Sequence, residues 1–277
     1  MPLNELDPLD TEQKSKSKPI QYFPSGDEIE IFAVAAQQKL AVMLKGPTGC
    51  GKTRFVEYMA QQLKRPLVTV PCHEDLTAAD LVGRYLLKGG ETIWEDGPLT
   101  RAVKMGAICY LDEIVEARSD TTVVLHPLTD HRRELHIDRL NQTWQMPDDF
   151  MVVISYNPGY QSVLKDLKES TRQRMVGIDF DYLDAEQEAK VIAAESGLGK
   201  EVCEDLVKLA SAIRRLQTGM LSEVASTRTI VATAHLICGG VAPRRAAAAC
   251  IASALSDDAE IIDGLNEMIR NYLRERY

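Results

Sequence analysis

Five short apolar runs divide the first two thirds of the chain. They cover residues 40–44, 67–70, 107–111, 150–156 and 177–180, and polar or glycine-containing segments separate them. A continuous apolar run of this length is typical of a strand buried on both faces, as in a parallel sheet covered by helices. Apolar residues at helical spacing lie between the runs, for example over residues 29–36 and 54–60. The pattern therefore predicts an α/β fold with a five-stranded parallel sheet flanked by helices.

Two pairs of shorter runs interrupt this alternation. Residues 84–88 and 91–94 flank a Gly-Gly dipeptide, which is a typical β-hairpin turn. Residues 134–137 and 142–146 form a second candidate hairpin. A hairpin inserted into a parallel sheet buries little of its own surface, so we expect both hairpins to make contacts rather than core.

Only helical patterns follow residue 184. Two apolar series have helical spacing: Val202, Leu206, Leu209, Ile213 and Leu216, and then Ile262, Leu265, Ile269, Tyr272 and Leu273. At the other end of the chain, residues 1–18 are polar, which predicts a mobile tail. The sequence therefore predicts this tail, an α/β subdomain over residues 19–183 and a small all-α lid subdomain over residues 184–277.

Composition and charge restrict the possible functions. The chain of 277 residues has a formal net charge of -9 at pH 7, which argues against wrapping of nucleic acid because that needs a concentrated basic face. Its six cysteines include no C-x-x-C pair, and this spacing favours free thiols in a reducing cytosol over a disulfide framework or a zinc site. The sequence shows neither a signal peptide nor an apolar run of membrane-spanning length. We therefore expect a cytoplasmic protein without nucleic-acid binding or membrane insertion.

The most specific motif directly follows the first apolar run. It fits G-x-x-x-x-G-K-[ST] and consists of Gly46, Pro47, Thr48, Gly49, Cys50, Gly51, Lys52 and Thr53. In such a loop the backbone N–H groups wrap a polyphosphate, the lysine reaches the outer phosphates and the hydroxyl binds magnesium. A glycine-rich turn that holds nothing is the alternative. The position between a predicted strand and a predicted helix favours the phosphate site, because the phosphates would face the positive end of the helix.

Polar side chains also end two other predicted strands. Asp112 and Glu113 follow the third run; beside a phosphate loop, the first carboxylate can hold Mg²⁺ through its waters and the second can deprotonate an attacking water. A helix cap is the alternative for this pair. Asn157 follows the fourth run and could hold the same water, or could belong to a simple Asn-Pro turn. Arg228 is predicted in the first turn of a helix, where a cation is unfavourable unless it faces a phosphate.

These motifs, in this order, resemble an AAA+ ATPase over nearly the whole chain. The two hairpins are similar to inserts of the MoxR clade, and longer blocks resemble the CbbQ/NirQ/NorQ subfamily. The blocks are GDE (26–28), LKGPTGCGKTRFVE (44–57), DLVGRYLL (80–87), CYLDEIVEAR (109–118), HPLTDHRR (126–133) and ISYNPGYQS (154–162). The resemblance implies a P-loop AAA+ core with a five-stranded parallel sheet, two inserted β-hairpins and a C-terminal helical lid.

The resemblance also implies roles for the residues of an ATP site. Lys52 would bind the β- and γ-phosphates, and Thr53 with Asp112 would hold Mg²⁺. Glu113 would be the base that activates water, and Asn157 would be the first sensor of the nucleotide.

Three arginines receive roles in the same way. Arg174 has the position of the finger that one subunit supplies to its neighbour, with Arg172 as the alternative, and Arg228 matches the second sensor. Such a finger is worth about 10³ to 10⁵ in rate in related phosphoryl transferases, so a lone subunit should be nearly inert.

The assembly implied by the resemblance is a homo-hexameric ring that remodels a client together with a partner carrying a von Willebrand factor A domain, of the CbbO type. In CbbQ-type systems the client is inhibited Rubisco, from which tight-binding sugar phosphates are released; in NorQ-type systems it is nitric oxide reductase during maturation. No residue separates the two clients, and the sequence as a whole looks nearer to CbbQ, so Rubisco activation is the first expectation. A nucleotide-gated scaffold and a DNA-working AAA+ protein are the other hypotheses; Glu113 argues against the first and the acidic charge against the second.

Overall fold

The computed structural model describes residues 19–118, 121–158, 167–216 and 224–277. The tail predicted over residues 1–18 lies outside the described residues. Among the helices that the structure describes, none combines the length and the apolar character needed to cross a membrane.

The strands are those that the apolar runs predict. The described residues form β1 (Ala41–Lys45), β2 (Leu67–Pro71), β3 (Gly83–Lys88), β4 (Glu91–Asp96), β5 (Ile108–Asp112), β6 (Glu134–Ile137), β7 (Gln142–Gln145), β8 (Met151–Tyr156) and β9 (Met175–Asp179). Five of them form one parallel sheet in the order β2-β5-β8-β1-β9, which confirms the predicted sheet. This order places the carboxyl ends of β5, β8 and β1 side by side, and a ligand site in such a sheet lies at that edge.

The helices cover both faces of the sheet and form the C-terminal part. They are α1 (Glu28–Gln37), α2 (Lys52–Leu63), α3 (Ala78–Val82), α4 (Pro98–Met105), α5 (His126–Thr129), α6 (Glu169–Arg172), α7 (Ala185–Ser196), α8 (Lys200–Arg215), α9 (Thr227–Cys238), α10 (Pro243–Ala247), α11 (Ser253–Leu255) and α12 (Ala259–Tyr272). A π-helical turn (Ala248–Ala252) joins α10 to α11.

Apolar side chains fill the space on each side of the sheet. On one side, the rings of Phe32 from α1 and Phe55 from α2 meet edge to face at 5.3 Å between centroids and pack against β1. On the other side, Leu81 of α3 and Leu99 of α4 belong to the second buried cluster. Each side chain of this size contributes about 1.5–3 kcal/mol through burial. The strands are continuous apolar runs because both of their faces are covered.

One residue that the pattern assigns to a strand belongs to a helix terminus instead. The apolar run predicts Leu40 as the first residue of the first strand, but it precedes β1 and is 48% exposed. Its N–H donates to the carbonyl of Ala35, and the N–H of Lys39 donates to Ala36. With Lys39 at φ 59, this is the Schellman arrangement that ends α1.

Both predicted hairpins are present, and they contact a common side chain. β3 pairs with β4 across Gly89 and Gly90, whose φ values of 61 and 87 suit a two-residue hairpin turn, and β6 pairs with β7. The ammonium group of Lys104, near the end of α4, bonds Asp96 of the first hairpin at 2.5 Å. The same group lies 4.8 Å from the centroid of the Trp144 ring on the second hairpin. Lys104 therefore ties the two hairpins together.

The all-helical part from α7 to α12 has its own buried cluster. Leu206, Leu209 and Ile213 of α8 are fully buried, as their spacing predicts. Leu216 of the first apolar series and Tyr272 of the second are instead 44% and 39% exposed. Leu216 follows the last residue of α8 and Tyr272 is the last residue of α12, so both lie at a helix terminus, where helical spacing no longer determines burial. The division into subdomains at residue 184 stays a prediction.

Candidate active site

The phosphate-loop motif forms the turn from β1 into α2. A Cβ atom on Gly46 would lie 2.3 Å from the carbonyl oxygen of Phe180, so a side chain does not fit there. Gly49 and Gly51 have φ values of 72 and 102, which favour glycine, and Gly51 caps α2. The first N–H groups of α2 have no acceptor within the helix, and together with the helix dipole they favour an anion.

Lys52 lies under this loop and is 9% exposed. Its Nζ donates to the carbonyl oxygens of Gly46 and Pro47, both at 2.8 Å. Burial lowers the pKa of Lys52 from its ordinary value, and the nearby carboxylates of Asp112 and Glu113 oppose that shift. The lysine is therefore held at the loop by carbonyl groups, and an anion that enters the loop would relieve the cost of burying its charge.

Asp112 ends β5 beside the loop and is fixed by three hydroxyl donors. Its Oδ1 accepts hydrogen bonds from Tyr110 at 2.6 Å and from Ser155 at 2.5 Å. Its Oδ2 accepts from the hydroxyl of Thr53 at 3.3 Å. The carboxylate and the Thr53 hydroxyl thus share one location, as the sequence predicts.

Glu113 follows with a backbone conformation that is uncommon for its residue type. Its φ and ψ are 57 and 48, in the left-handed region that costs about 1–2 kcal/mol for a residue with a Cβ. Its N–H donates to Ser155 Oγ at 3.0 Å, and this bond holds the peptide in place. The turn directs the chain away from β5 and leaves the Glu113 side chain exposed at the cavity described below. Strain of this kind is typical of functional positions.

Asn157 and Arg228 reach the loop from two other elements. Asn157 follows β8, and its amide Nδ2 donates to Thr48 Oγ1 at 3.2 Å. Arg228 lies in the first turn of α9, which Ser226 caps. A Cβ on Gly49 would lie 2.7 Å from the Ser226 side chain and 3.3 Å from Arg228 Cβ, so α9 begins directly against the loop.

A cavity of about 410 Å³ lies between the loop and the helical part. Its wall includes residues from both parts: Lys52, Thr53, Asp112, Glu113, Thr227 and Arg228. A volume of this size is within the range of small-molecule and cofactor sites. The predicted loop, the acidic pair and Arg228 thus surround one space.

Arg172 and Arg174 lie elsewhere. Neither is among the described residues of the cavity wall. Arg172 is the last residue of α6, and Arg174, which directly precedes β9, donates to the carbonyl of Ser170. A residue that serves a neighbouring subunit is expected to lie outside the cavity of its own subunit.

The segment before α1 also lines the cavity, and in the sequence only the GDE block at residues 26–28 marks this region. Glu28, only 4% exposed, accepts hydrogen bonds at 2.8 Å from Ser25 N–H, Gly26 N–H and the Tyr22 hydroxyl. Burial alone would raise the pKa of Glu28, but these hydrogen bonds outweigh it and hold the pKa below its ordinary value. The Tyr22 ring stacks on Tyr58 of α2 at 5.3 Å. A buried carboxylate therefore fixes the segment that forms one wall.

The donor set fits a magnesium ion that also has substrate phosphates as ligands. The described residues contain no group of three or more His, Cys, Asp or Glu side chains that could hold a metal alone. Mg²⁺ does not need one, because it keeps several waters and is bound through one or two carboxylates together with phosphates. Asp112 and the Thr53 hydroxyl provide the oxygen atoms for such a site.

The fold and the loop place the chain in a known class. Residues 41–175 match the AAA domain family of the dynein-related subfamily. The ADP complex of NtrX from Brucella abortus has a similar fold, with a TM-score of 0.55 at 16% identity, over 79% of this chain and 51% of that one. A mutant form of RuvB from Thermotoga maritima gives a TM-score of 0.53 at 15% identity over 87% and 68%. The protein is an AAA+ ATPase, and it binds nucleotide.

Proteins with similar sequences identify the family within this class. Residues 188–272 match the CbbQ/NirQ/NorQ C-terminal family. Protein NorQ of Paracoccus denitrificans is 57% identical over 89% of this chain and 92% of its own length. Denitrification regulatory protein NirQ of Pseudomonas aeruginosa is 54% identical over 90% and 95%, and protein CbbQ of Hydrogenophilus thermoluteolus is 53% identical over 87% and 90%. The chain belongs to the CbbQ/NirQ/NorQ family.

Proposed function

We propose that this ATPase works as a homo-hexameric motor whose ATP hydrolysis remodels a client protein. One observation carries the proposal: a buried lysine, a Thr-Asp pair and an exposed carboxylate surround one cavity, whereas Arg174 lies outside it. The first group of residues suits hydrolysis, and the position of Arg174 suits a role at a neighbouring cavity. The helical part would act as the lid of this cavity, and the six free thiols favour the reducing cytoplasm as its location.

In the proposed mechanism each residue has one task. Lys52 binds the β- and γ-phosphates, and the loop N–H groups hold their oxygens. Thr53 and Asp112 would hold Mg²⁺, which neutralises charge on the phosphates when it is bound. Glu113 orients a water molecule and accepts its proton, and Asn157 holds that water against the γ-phosphate.

The arginines complete the charge stabilisation. Arg228, at the start of α9 beside the loop, contacts the phosphates of its own subunit and thereby ties the lid to the nucleotide. Arg174 contacts the γ-phosphate in the neighbouring subunit, with Arg172 as the alternative. Turnover therefore depends on assembly.

A mixing experiment tests the supply of Arg174 in trans. We expect Lys52→Ala to lose nucleotide binding and Arg174→Ala to bind nucleotide without hydrolysing it. Mixed rings should regain part of the wild-type rate, because an intact cavity can then face an intact arginine. Arg172→Ala is the matched control and should retain turnover. Full turnover by Arg174→Ala alone would show that Arg174 does not have this role. The same conclusion would follow if the mixture of Lys52→Ala and Arg174→Ala recovers no activity and Arg172→Ala is itself inactive.

The proposed partner is an adaptor with a von Willebrand factor A domain, and two clients are candidates. One is inhibited Rubisco, which would release tight-binding sugar phosphates, and the other is nitric oxide reductase during maturation. Identities of 57% to NorQ and 54% to NirQ, against 53% to CbbQ, favour the reductase. ATPase stimulation and client activation, measured with adaptor and each client in turn, decide between them.

The same assay separates a motor from a nucleotide-gated scaffold. Glu113→Gln should bind ATP without hydrolysing it, because the carboxamide accepts a proton poorly. A motor then loses client activation. Activation by the Glu113→Gln ring at the wild-type level would instead support the scaffold.

A further inference from the structure

A continuous polar chain runs from the phosphate loop into the helical part. The Tyr182 hydroxyl donates to the backbone carbonyl oxygen of Thr48, within the loop, at 3.0 Å. The guanidinium carbon of Arg214, near the end of α8, lies 3.8 Å from the centroid of the Tyr182 ring. The same guanidinium group forms a two-pronged pair with Glu188 of α7. The four residues come from the loop, from the segment between β9 and α7, and from two helices.

Glu188 and Arg214 hold each other in one geometry. Glu188 is fully buried, and its two oxygens accept hydrogen bonds from Arg214 Nη1 at 2.8 Å, Arg214 Nη2 at 2.7 Å and Thr227 Oγ1 at 2.6 Å. A buried carboxylate is costly unless it is paired and hydrogen-bonded, and here both carboxylate oxygens accept hydrogen bonds. Arg214 Nε donates to the carbonyl of Ala225 at 2.7 Å, so the guanidinium plane is fixed on its third side.

The two ends of this chain both reach the cavity. Thr48 and Thr227 belong to its wall, and Thr227 directly precedes Arg228. Tyr182 lies in the short segment that connects β9 to α7, where the sheet part becomes the helical part. This series of contacts therefore fixes the start of α9 and the phosphate loop relative to each other. It does so at the covalent connection between β9 and α7.

We propose that Arg214 is a positioning residue for nucleotide binding, which holds the phosphate loop and the start of α9 in register through Tyr182 and the Glu188–Thr227 contact. The proposal rests on the nucleotide site described above. An arginine is needed because only a planar guanidinium can fork a carboxylate, stack on an aromatic ring and donate from Nε at once. A lysine keeps the charge and loses the geometry.

The first test compares nucleotide affinities. We expect Arg214→Lys to weaken the binding of mant-ADP, a fluorescent ADP analogue, by about tenfold, because a bidentate charge-assisted contact becomes a single one. Tyr182→Phe removes one hydroxyl and should weaken binding by about 2- to 10-fold. Arg215→Lys is the matched control, since Arg215 is the exposed neighbour on the same helix, and it should bind as the wild type does.

Coupling between the two substitutions distinguishes positioning from separate structural effects. Arg214→Lys already releases the Tyr182 ring, so the double variant should lose less affinity than the product of the two single losses. Tyr182→Phe combined with Arg215→Lys should show no such coupling. In turnover assays the Arg214→Lys variant should raise KM more than it lowers kcat, whereas partial unfolding would lower the active fraction and leave KM unchanged.

The outcomes are distinct. Wild-type affinity in Arg214→Lys, or losses that multiply in the double variant, would overturn the proposal. If Arg214→Lys does not fold, Tyr182→Phe decides alone, because it removes one atom and leaves the buried pair intact; unchanged affinity in that variant overturns the proposal. If Lys52→Ala binds the probe as well as the wild type does, the assigned nucleotide site itself is wrong and this inference falls with it.

Discussion

Removal of the Ser155 hydroxyl group should separate the roles of the two acidic residues, Asp112 and Glu113. Ser155 is fully buried on β8. It donates to Asp112 at 2.5 Å and accepts from the Glu113 N–H at 3.0 Å. Ser155→Ala therefore removes one of two donors to Asp112 Oδ1 and the acceptor that holds the Glu113 peptide.

The magnitude follows from the backbone of Glu113. A polar group left without its partner costs about 1–3 kcal/mol, which is similar to the cost of about 1–2 kcal/mol of the left-handed conformation at this residue. Removing the bond takes away a contribution as large as the cost of this conformation, so Glu113 is expected to relax out of position. A loss of about 1–3 kcal/mol in the transition state corresponds to a decrease of about 5- to 150-fold in kcat.

The assay is steady-state phosphate release at saturating ATP and Mg²⁺, with Tyr110→Phe as the matched control. Tyr110 donates to the same Asp112 oxygen at 2.6 Å but has no part in the Glu113 contact. We expect Tyr110→Phe to raise the Mg²⁺ concentration needed for activity and to leave kcat near the wild-type value. Equal kcat losses in the two variants, or an unchanged kcat in Ser155→Ala, would refute the link between the Ser155 bond and Glu113.

Three further outcomes follow from other contacts. The pKa of Glu28 lies below its ordinary 4.5, so its stabilising effect is present above about pH 4.5 and is lost as pH falls through the folded-state pKa; in urea titrations across this range, Glu28→Gln should show a smaller acid loss of unfolding free energy, and an unchanged slope would contradict this. Gly49→Ala should raise the KM for ATP, because its Cβ would lie 2.7 Å from the Ser226 side chain, whereas Gly240→Ala, which meets no atom within 4 Å, should not. Lys104→Met should shift the fluorescence of the tryptophan of the second hairpin but lower the unfolding free energy by less than about 1 kcal/mol, since the ion pair is exposed; an unshifted spectrum would contradict the contact.

Features that depend on residues close together in the sequence could be predicted from it. The phosphate loop and the five strands follow from a contiguous motif and from runs whose burial is set by helices on both faces. The hydrophobic pattern is wrong for Leu40 as a strand residue and for Leu216 as a buried residue, because periodicity does not show where a helix cap begins or ends. Boundaries of this kind depend on a few backbone hydrogen bonds rather than on the hydrophobic pattern.

Contacts between distant residues could not be predicted in this way. Tyr182 and Thr48 are separated by 134 positions, and Arg214 and Glu188 by 26. A lone arginine in an amphipathic helix has the same local pattern whether it meets solvent or a buried carboxylate. Ser155 likewise has the pattern of a small residue in an apolar strand, and only the order of the strands places it between Asp112 and Glu113.

Strand β9 gives the proposed ring a mechanical property. Arg174 directly precedes this strand, and Phe180, whose carbonyl oxygen lies against Gly46, directly follows it. The strand pairs with β1 in unbroken register, from Ala41 opposite Met175 to Lys45 opposite Asp179. The strand therefore connects Arg174 at one end with the contact between Phe180 and Gly46 at the other. If Arg174 contacts the nucleotide of the adjacent subunit, as proposed, this one strand would link the occupancy of that site to the subunit's own phosphate loop.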